Sequence, residues 1–225
     1  MLKTRIFVAM TCLGIIGLLA GPGAQPLPVD YSVHLASATN YDTRAKDEDT
    51  IHASLSVFVN GVRKETAIWD GKGWDGSRAE GRRWVPGLHV FGPAGMSTVQ
   101  AVTGRLQDTD TLQIVFELFS ASTEPSAANH EAVAERIQRT SCAGGDDASA
   151  WDCLAPDATA LLEGWPVANC DGLVAAEKLV YTAMQLRRKT ETGDTVTVTK
   201  NYRASNAPPG CGFSIYGAVV TIARR

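Results

Sequence analysis

Three of the five tryptophans of this chain fall within sixteen residues, Trp69-Asp-Gly-Lys-Gly-Trp-Asp-Gly-Ser-Arg-Ala-Glu-Gly-Arg-Arg-Trp84. Glycines, two aspartates and three arginines separate them. A tryptophan supplies a large rigid face for stacking on a ring or a sugar, and a guanidinium supplies fixed donors for a carbonyl or carboxylate. Trp69, Lys72, Trp74, Arg82, Arg83 and Trp84 are therefore the candidate ligand-binding residues. The plainer reading is a long hairpin loop whose tryptophans fold back over the edge of a sheet. As a calcium loop the stretch fails. With Asp70 at the first position, Lys72 and Trp74 occupy the third and fifth, where oxygen ligands belong.

Other chemistry-bearing residues are sparse. The histidines, His34, His52, His89 and His130, are far apart, and none has another at the short spacing of a local metal pair. There is no G-x-S-x-G, no H-E-x-x-H, no phosphate-binding loop and no G-x-G-x-x-G after a strand. No metal, no cofactor and no catalytic residue is assigned. Asp146-Asp147 reads as a solvated acidic turn. Glu117 lies out of phase with Leu112, Ile114, Phe116 and Leu118, on a face expected to be half wet. Were that face covered, its pKa would rise and it could serve as an acid or base.

The elements that must position these residues read as antiparallel β. Ile51 to Val59 alternates, Asn60-Gly61 suits a type I′ hairpin turn, and Val62 to Ile68 is the return strand. Leu112 to Leu118 repeats the period of two, and Tyr31–Leu35, Ser97–Val102, Thr195–Arg203 and Phe213–Ile222 are further strands. Helical signals are confined to Ser126–Gln138, with Ser126 as N-cap, Pro156–Glu163 and Ala183–Lys189. The expected architecture is one antiparallel β-sandwich over residues 25–225, interrupted by a helical, disulfide-tied insertion at about 125–190.

Lys3 and Arg5 precede an uncharged, mostly apolar run from Ile6 to Ala20, followed by Gly21-Pro22-Gly23-Ala24. This is the pattern of a secretory signal peptide over residues 1–24, with cleavage expected between Ala20 and Gln25. As a helix the run covers roughly 22 Å, short of a bilayer core, so no stable membrane anchor is expected once it is cleaved. The mature chain is placed in the secretory lumen or outside the cell. A net charge of −3, with basic residues scattered, points to neither nucleic acid nor an anionic membrane as partner. Cys142, Cys153, Cys170 and Cys211 remain after cleavage, and none forms a C-x-x-C pair, so two disulfides are expected. Three pairings are open, of which the sequential one is the simplest.

Asn169-Cys170-Asp171-Gly172-Leu-Val-Ala-Ala-Glu177, followed by Gly210-Cys211-Gly212-Phe-Ser-Ile-Tyr216, resembles a group of small secreted, β-rich fungal proteins. The usual form has Pro where this chain has Leu173, and a longer Ser/Asn turn after the second cysteine. The resemblance covers about a quarter of the chain and implies that Cys170 pairs with Cys211. Such proteins are similar in outline to cofactor-free cyclases of natural-product pathways, hetero-Diels–Alderases among them. No catalytic motif of that group is matched residue by residue. The implied function is binding of an apolar or aromatic small molecule, with pericyclic cyclisation as its catalytic form. A pericyclic catalyst needs a shaped pocket and a donor or two on a carbonyl, not a nucleophile or metal. The alternative is a lectin-like module that binds carbohydrate or cell wall without catalysis.

Overall fold

The structure, a computed structural model, describes residues 28–42, 49–69, 83–84, 89–91, 99–121, 124–144, 148–165, 170–191, 195–204 and 211–225. The signal-peptide assignment, Lys72, Trp74, Arg82 and Asp146-Asp147 lie outside them. Among the described residues ten strands carry the fold: β1 (Val29–Asp42), β2 (Asp49–Val59), β3 (Val62–Trp69), β4 (Arg83–Trp84), β5 (His89–Phe91), β6 (Val99–Leu106), β7 (Thr111–Ser120), β8 (Gly172–Thr182), β9 (Thr195–Ala204) and β10 (Ser214–Arg224). The helices are α1 (Ala127–Arg139), α2 (Trp151–Leu154), α3 (Ala158–Leu161) and α4 (Ala183–Lys189), with a tight helical turn at Ala155–Asp157 between α2 and α3.

Two antiparallel sheets face each other as a sandwich. The first runs β5-β1-β10-β9, with β6 also paired to β1; the second runs β3-β2-β7-β8, with β4 paired to β2. Alternation sets the inner faces. Val29, Tyr31, Val33 and Leu35 of β1, with Tyr216, Ala218, Val220 and Ile222 of β10, meet Ile51, Ala53, Leu55 and Val57 of β2 and Leu112, Ile114, Phe116 and Leu118 of β7 in one continuous core. Phe116 meets Tyr202 of β9 edge to face across the sandwich, ring centroids 5.5 Å apart. The β2–β3 turn is the hairpin that Asn60-Gly61 predicts: both residues have positive φ, 52° and 78°.

The insertion builds a third layer. Ser126 caps α1 through its side chain, and Asn129 closes the reciprocal bond. The buried side of α1, His130, Val133, Ala134 and Ile137, covers the outer face of the second sheet. Arg63 on β3 fastens the helix at its rim through Glu131, 2.7 Å away. Lys178 on β8 donates its Nζ to the Gln138 and Thr140 carbonyls at 2.8 and 2.5 Å, satisfying acceptors that the helix end leaves unpaired. Within this region β8 is a strand, paired along its length with β7. The predicted helix at Pro156–Glu163 is instead a broken run of short turns that begins at Trp151.

Both disulfides follow the sequential pairing. Cys142–Cys153 staples the insertion, while Cys170–Cys211 joins residues just before β8 and β10, one strand from each sheet.

Candidate binding site

Of the predicted site residues, Trp69, Arg83 and Trp84 lie on strands. Chain leaves the second sheet at Trp69, opposite Ala53, and rejoins it at Arg83 and Trp84, opposite Thr50 and Asp49. Both ends of the Trp/Gly/Arg stretch are thus tethered to the first residues of β2. The Trp69 side chain is buried in the core and offers no open stacking face.

A cleft of about 430 Å³ opens at the other end of β3, between the edge strands β3 and β6. Val59 and Val62 are its apolar lining, Asn60, Lys64, Arg105 and Asp110 edge it, and Tyr31, almost wholly buried, closes it from within. A smaller depression of about 260 Å³, lined by Asp30, Tyr31, Gly104 and Arg225, shares Tyr31 and Gly104 with it. Three local devices shape the site. Tyr31 stands opposite Gly104 in the ladder, and a Cβ at Gly104 would overlap the Tyr31 hydroxyl, so only glycine lets the phenol lie there. The β2–β3 register slips between Val57 and Phe58, leaving Lys64 as the extra residue of a bulge on the cleft wall. A second slip, between Tyr31 and Val33, bends the β1–β6 pair opposite. Bulges re-aim side chains in this way beside binding sites.

The polar groups of the cleft are held rather than loose. Arg105 grips Asp30 with two parallel bonds of 2.7 and 3.0 Å. Asp110 accepts from the Asn60 side chain at 2.7 Å and the Gln107 backbone at 2.8 Å, and these bonds hold its pKa below the usual value. Burial, and secondarily the Asp110 charge, pushes the Tyr31 phenol up to about 12. At neutral pH Tyr31 is a neutral donor, and the Lys64 side chain lies on the same cleft.

The expectation that the Glu117 face is half wet is overturned: α1 covers it, and Glu117 is fully buried. Ser54 donates to its Oε2 at 3.0 Å, and His130 Nδ1 lies 3.7 Å from the same oxygen. Among the described residues, Oε1 and both His130 ring nitrogens find no hydrogen-bond partner. His52, on the same face of β2, reaches the Ala121 carbonyl at 3.2 Å. Burial raises the Glu117 pKa, while His130 and Ser54 pull it back. Ser54, Glu117 and His130 are closed to solvent, which makes the cluster an internal support under α1 rather than an acid–base site. A carboxyl whose folded pKa is raised favours folding most fully below its ordinary value of 4.5, and that contribution is lost as pH rises through the folded value. Glu117→Gln, which keeps an acceptor for Ser54, is therefore expected to flatten the decline of stability above pH 4.5. It should add on the order of 1 kcal/mol at neutral pH. Urea unfolding at several pH values checks this; parallel pH profiles for the two proteins would contradict it.

The cleft escaped sequence reading because its walls come from residues about 30, 60 and 105, with no local motif. The one available signal was Gly104 inside a strand, a mark of close approach by another group. Among the described residues, no three His, Cys, Asp or Glu side chains gather to hold a metal ion. No protein-family model matches the chain, and no curated protein is found to be similar to it.

Proposed function

We propose that this protein works in the secretory lumen or outside the cell and binds an apolar or aromatic small molecule in the β3–β6 cleft. The observation that carries the reading is the cleft itself: apolar walls, a glycine-seated phenol and a bulge lysine in a volume within the range of small-molecule sites. Two disulfides accord with an oxidising compartment. No helix among the described residues is long and apolar enough to cross a membrane. The finer reading is a cofactor-free cyclase of the hetero-Diels–Alderase type, and it rests on the sequence resemblance. In that form Val59, Val62 and the Tyr31 ring hold two partners in a reactive pose. The Tyr31 hydroxyl or Lys64 then donates to a carbonyl whose charge grows in the transition state.

Native mass spectrometry of the non-reduced protein, after incubation with an extract of its producing culture, tests the proposal. Wild type is expected to retain an organic ligand of a few hundred daltons. Tyr31→Phe combined with Lys64→Ala should retain roughly tenfold less, the loss of one or two donor bonds. A clean apo mass at high extract concentration would remove the small-molecule reading. Equal retention by the double variant would move the site away from the cleft.

A further inference from the structure

The outer face of the first sheet carries a second surface with its own chemistry. Tyr41 is the extra residue of a β1 bulge between the pairs Asn40–Tyr216 and Asp42–Ile215. Its side chain is 52% exposed although it rests against a strand. Gly217 explains the posture: a Cβ there would lie 2.9 Å from Tyr41 Cε2 and 2.9 Å from Asn201 Oδ1. The glycine lets the phenol ring lie on the β10 backbone beside Asn201, with much of the ring left to solvent.

A second ring, Phe213, precedes β10 by one residue. Phe213 is 43% exposed, and the Arg203 guanidinium sits 4.7 Å from its centroid. Arg203 pairs with Ile215, and Asn201 with Gly217, so both rings border one pair of strands. The platform is stiff: Cys211 anchors Phe213 two residues away, and the Arg203 carbonyl accepts the Trp151 indole N–H at 2.9 Å. Along β9 the outward residues Thr195, Thr197, Thr199, Asn201 and Arg203 are all exposed.

We infer that this face binds the chain of a neutral oligosaccharide or polysaccharide. Tyr41 would stack on the apolar face of a pyranose ring, and Asn201 and Arg203 would take its hydroxyls. The pattern selects sugar over a protein partner. The exposed rings gather no apolar cluster around them and stand instead among threonine hydroxyl, amide and guanidinium groups that suit a polyol. Lectin-like binding is thereby assigned to Tyr41 and its neighbours rather than to the Trp69–Trp84 stretch, and it is independent of the β3–β6 cleft.

The test is titration of the full-length mature protein with laminarihexaose, chitohexaose and a mannohexaose, followed by calorimetry and amide chemical shifts. At least one is expected to bind with a Kd of about 1 mM or tighter, shifting amides of β9 and β10. Tyr41→Phe should keep that affinity, because the ring is kept. Tyr41→Ala should weaken it about tenfold or more without lowering the unfolding midpoint beyond that of Tyr41→Phe by more than a few degrees. Failure of all three sugars to bind at about 10 mM would overturn the inference. So would undiminished binding by Tyr41→Ala, or shifts confined to other strands.

Discussion

Glu177→Ala is expected to cost on the order of 3–5 kcal/mol of folding stability, because it strands several buried donors at once. Glu177 lies on β8 opposite Phe116 and is fully buried. Its Oε1 accepts the Ala150 N–H at 2.6 Å; Oε2 accepts the Ser149 hydroxyl at 2.8 Å and the Tyr202 hydroxyl at 3.3 Å. One carboxylate therefore joins the second sheet, the first sheet through β9, and the start of α2. A Cβ at Gly144 would overlap it, so the backbone at Gly144 lies close against this group. Alanine leaves the Ala150 N–H and the Tyr202 hydroxyl facing a small cavity, and each buried unpaired donor costs about 1–3 kcal/mol. Glu177→Gln, which keeps an acceptor in place, should recover more than half of the loss. Burial raises the Glu177 pKa and the bonds from Ala150, Ser149, Lys178 and Tyr202 lower it again, with burial the larger effect. The folded form thus gives up stability as this carboxyl ionises, and the cost of the alanine should shrink as pH rises above 4.5. Urea denaturation at two pH values measures both effects. A loss below about 1 kcal/mol would mean that the insertion is held by Trp151 and the disulfide instead.

Strands with one open or one uniform face were legible in the sequence. Ile51–Val59 and Leu112–Leu118 alternate cleanly because their inward residues are apolar, and Asn60-Gly61 declares its turn through two positive φ values. The Ser126 cap and α4 were equally plain. β8 was not. Gly172-Leu-Val-Ala-Ala-Glu-Lys-Leu-Val-Tyr-Thr182 is buried nearly throughout, so it shows no alternation, and its Ala, Glu, Lys and Leu favour helices in isolation. Tertiary pairing with β7 overrides that preference. The same double burial conceals Glu117: its strand reads as one-sided until α1, the next element along the chain, is laid over it as the fold's third layer. β1 and β6 run beyond the ends their alternation marks because bulges interrupt the period, at Leu35/Ser37, Asn40/Asp42 and Tyr31/Val33. Those irregularities lie beside the buried Tyr31, at the floor of the cleft, and at Tyr41, which is exposed. What breaks the sequence pattern is what builds the candidate binding surfaces.

Removing the Cys170–Cys211 bridge with paired alanines is expected to cost about 4 kcal/mol, against about 3 kcal/mol for the Cys142–Cys153 bridge. The separations, 41 and 11 residues, set this order through the freedom each crosslink denies the unfolded chain. The two losses should also differ in kind. Cys142 and Cys153 belong to one insertion, whose clamps at Glu177, Lys178 and the Trp151 indole survive the cut. Cys170 and Cys211 enter different sheets, so their removal frees the leading ends of β8 and β10 from each other. For a chain of this size about 4 kcal/mol lowers the unfolding midpoint by roughly 8–16 °C. The longer reduced chain exposes more surface when unfolded, so the denaturant slope should rise as well. Hydrogen exchange would locate the effect: amides at Gly172–Val174 and Ser214–Tyr216 should lose protection first, while those of α1 keep theirs. Equal protection at both places, with stability within about 1 kcal/mol of wild type, would show that packing alone holds the sheets together at this end. In that case Phe213 would owe its position to the Arg203 contact rather than to the disulfide, and the rigidity of the aromatic face would have to be sought in the β9–β10 ladder.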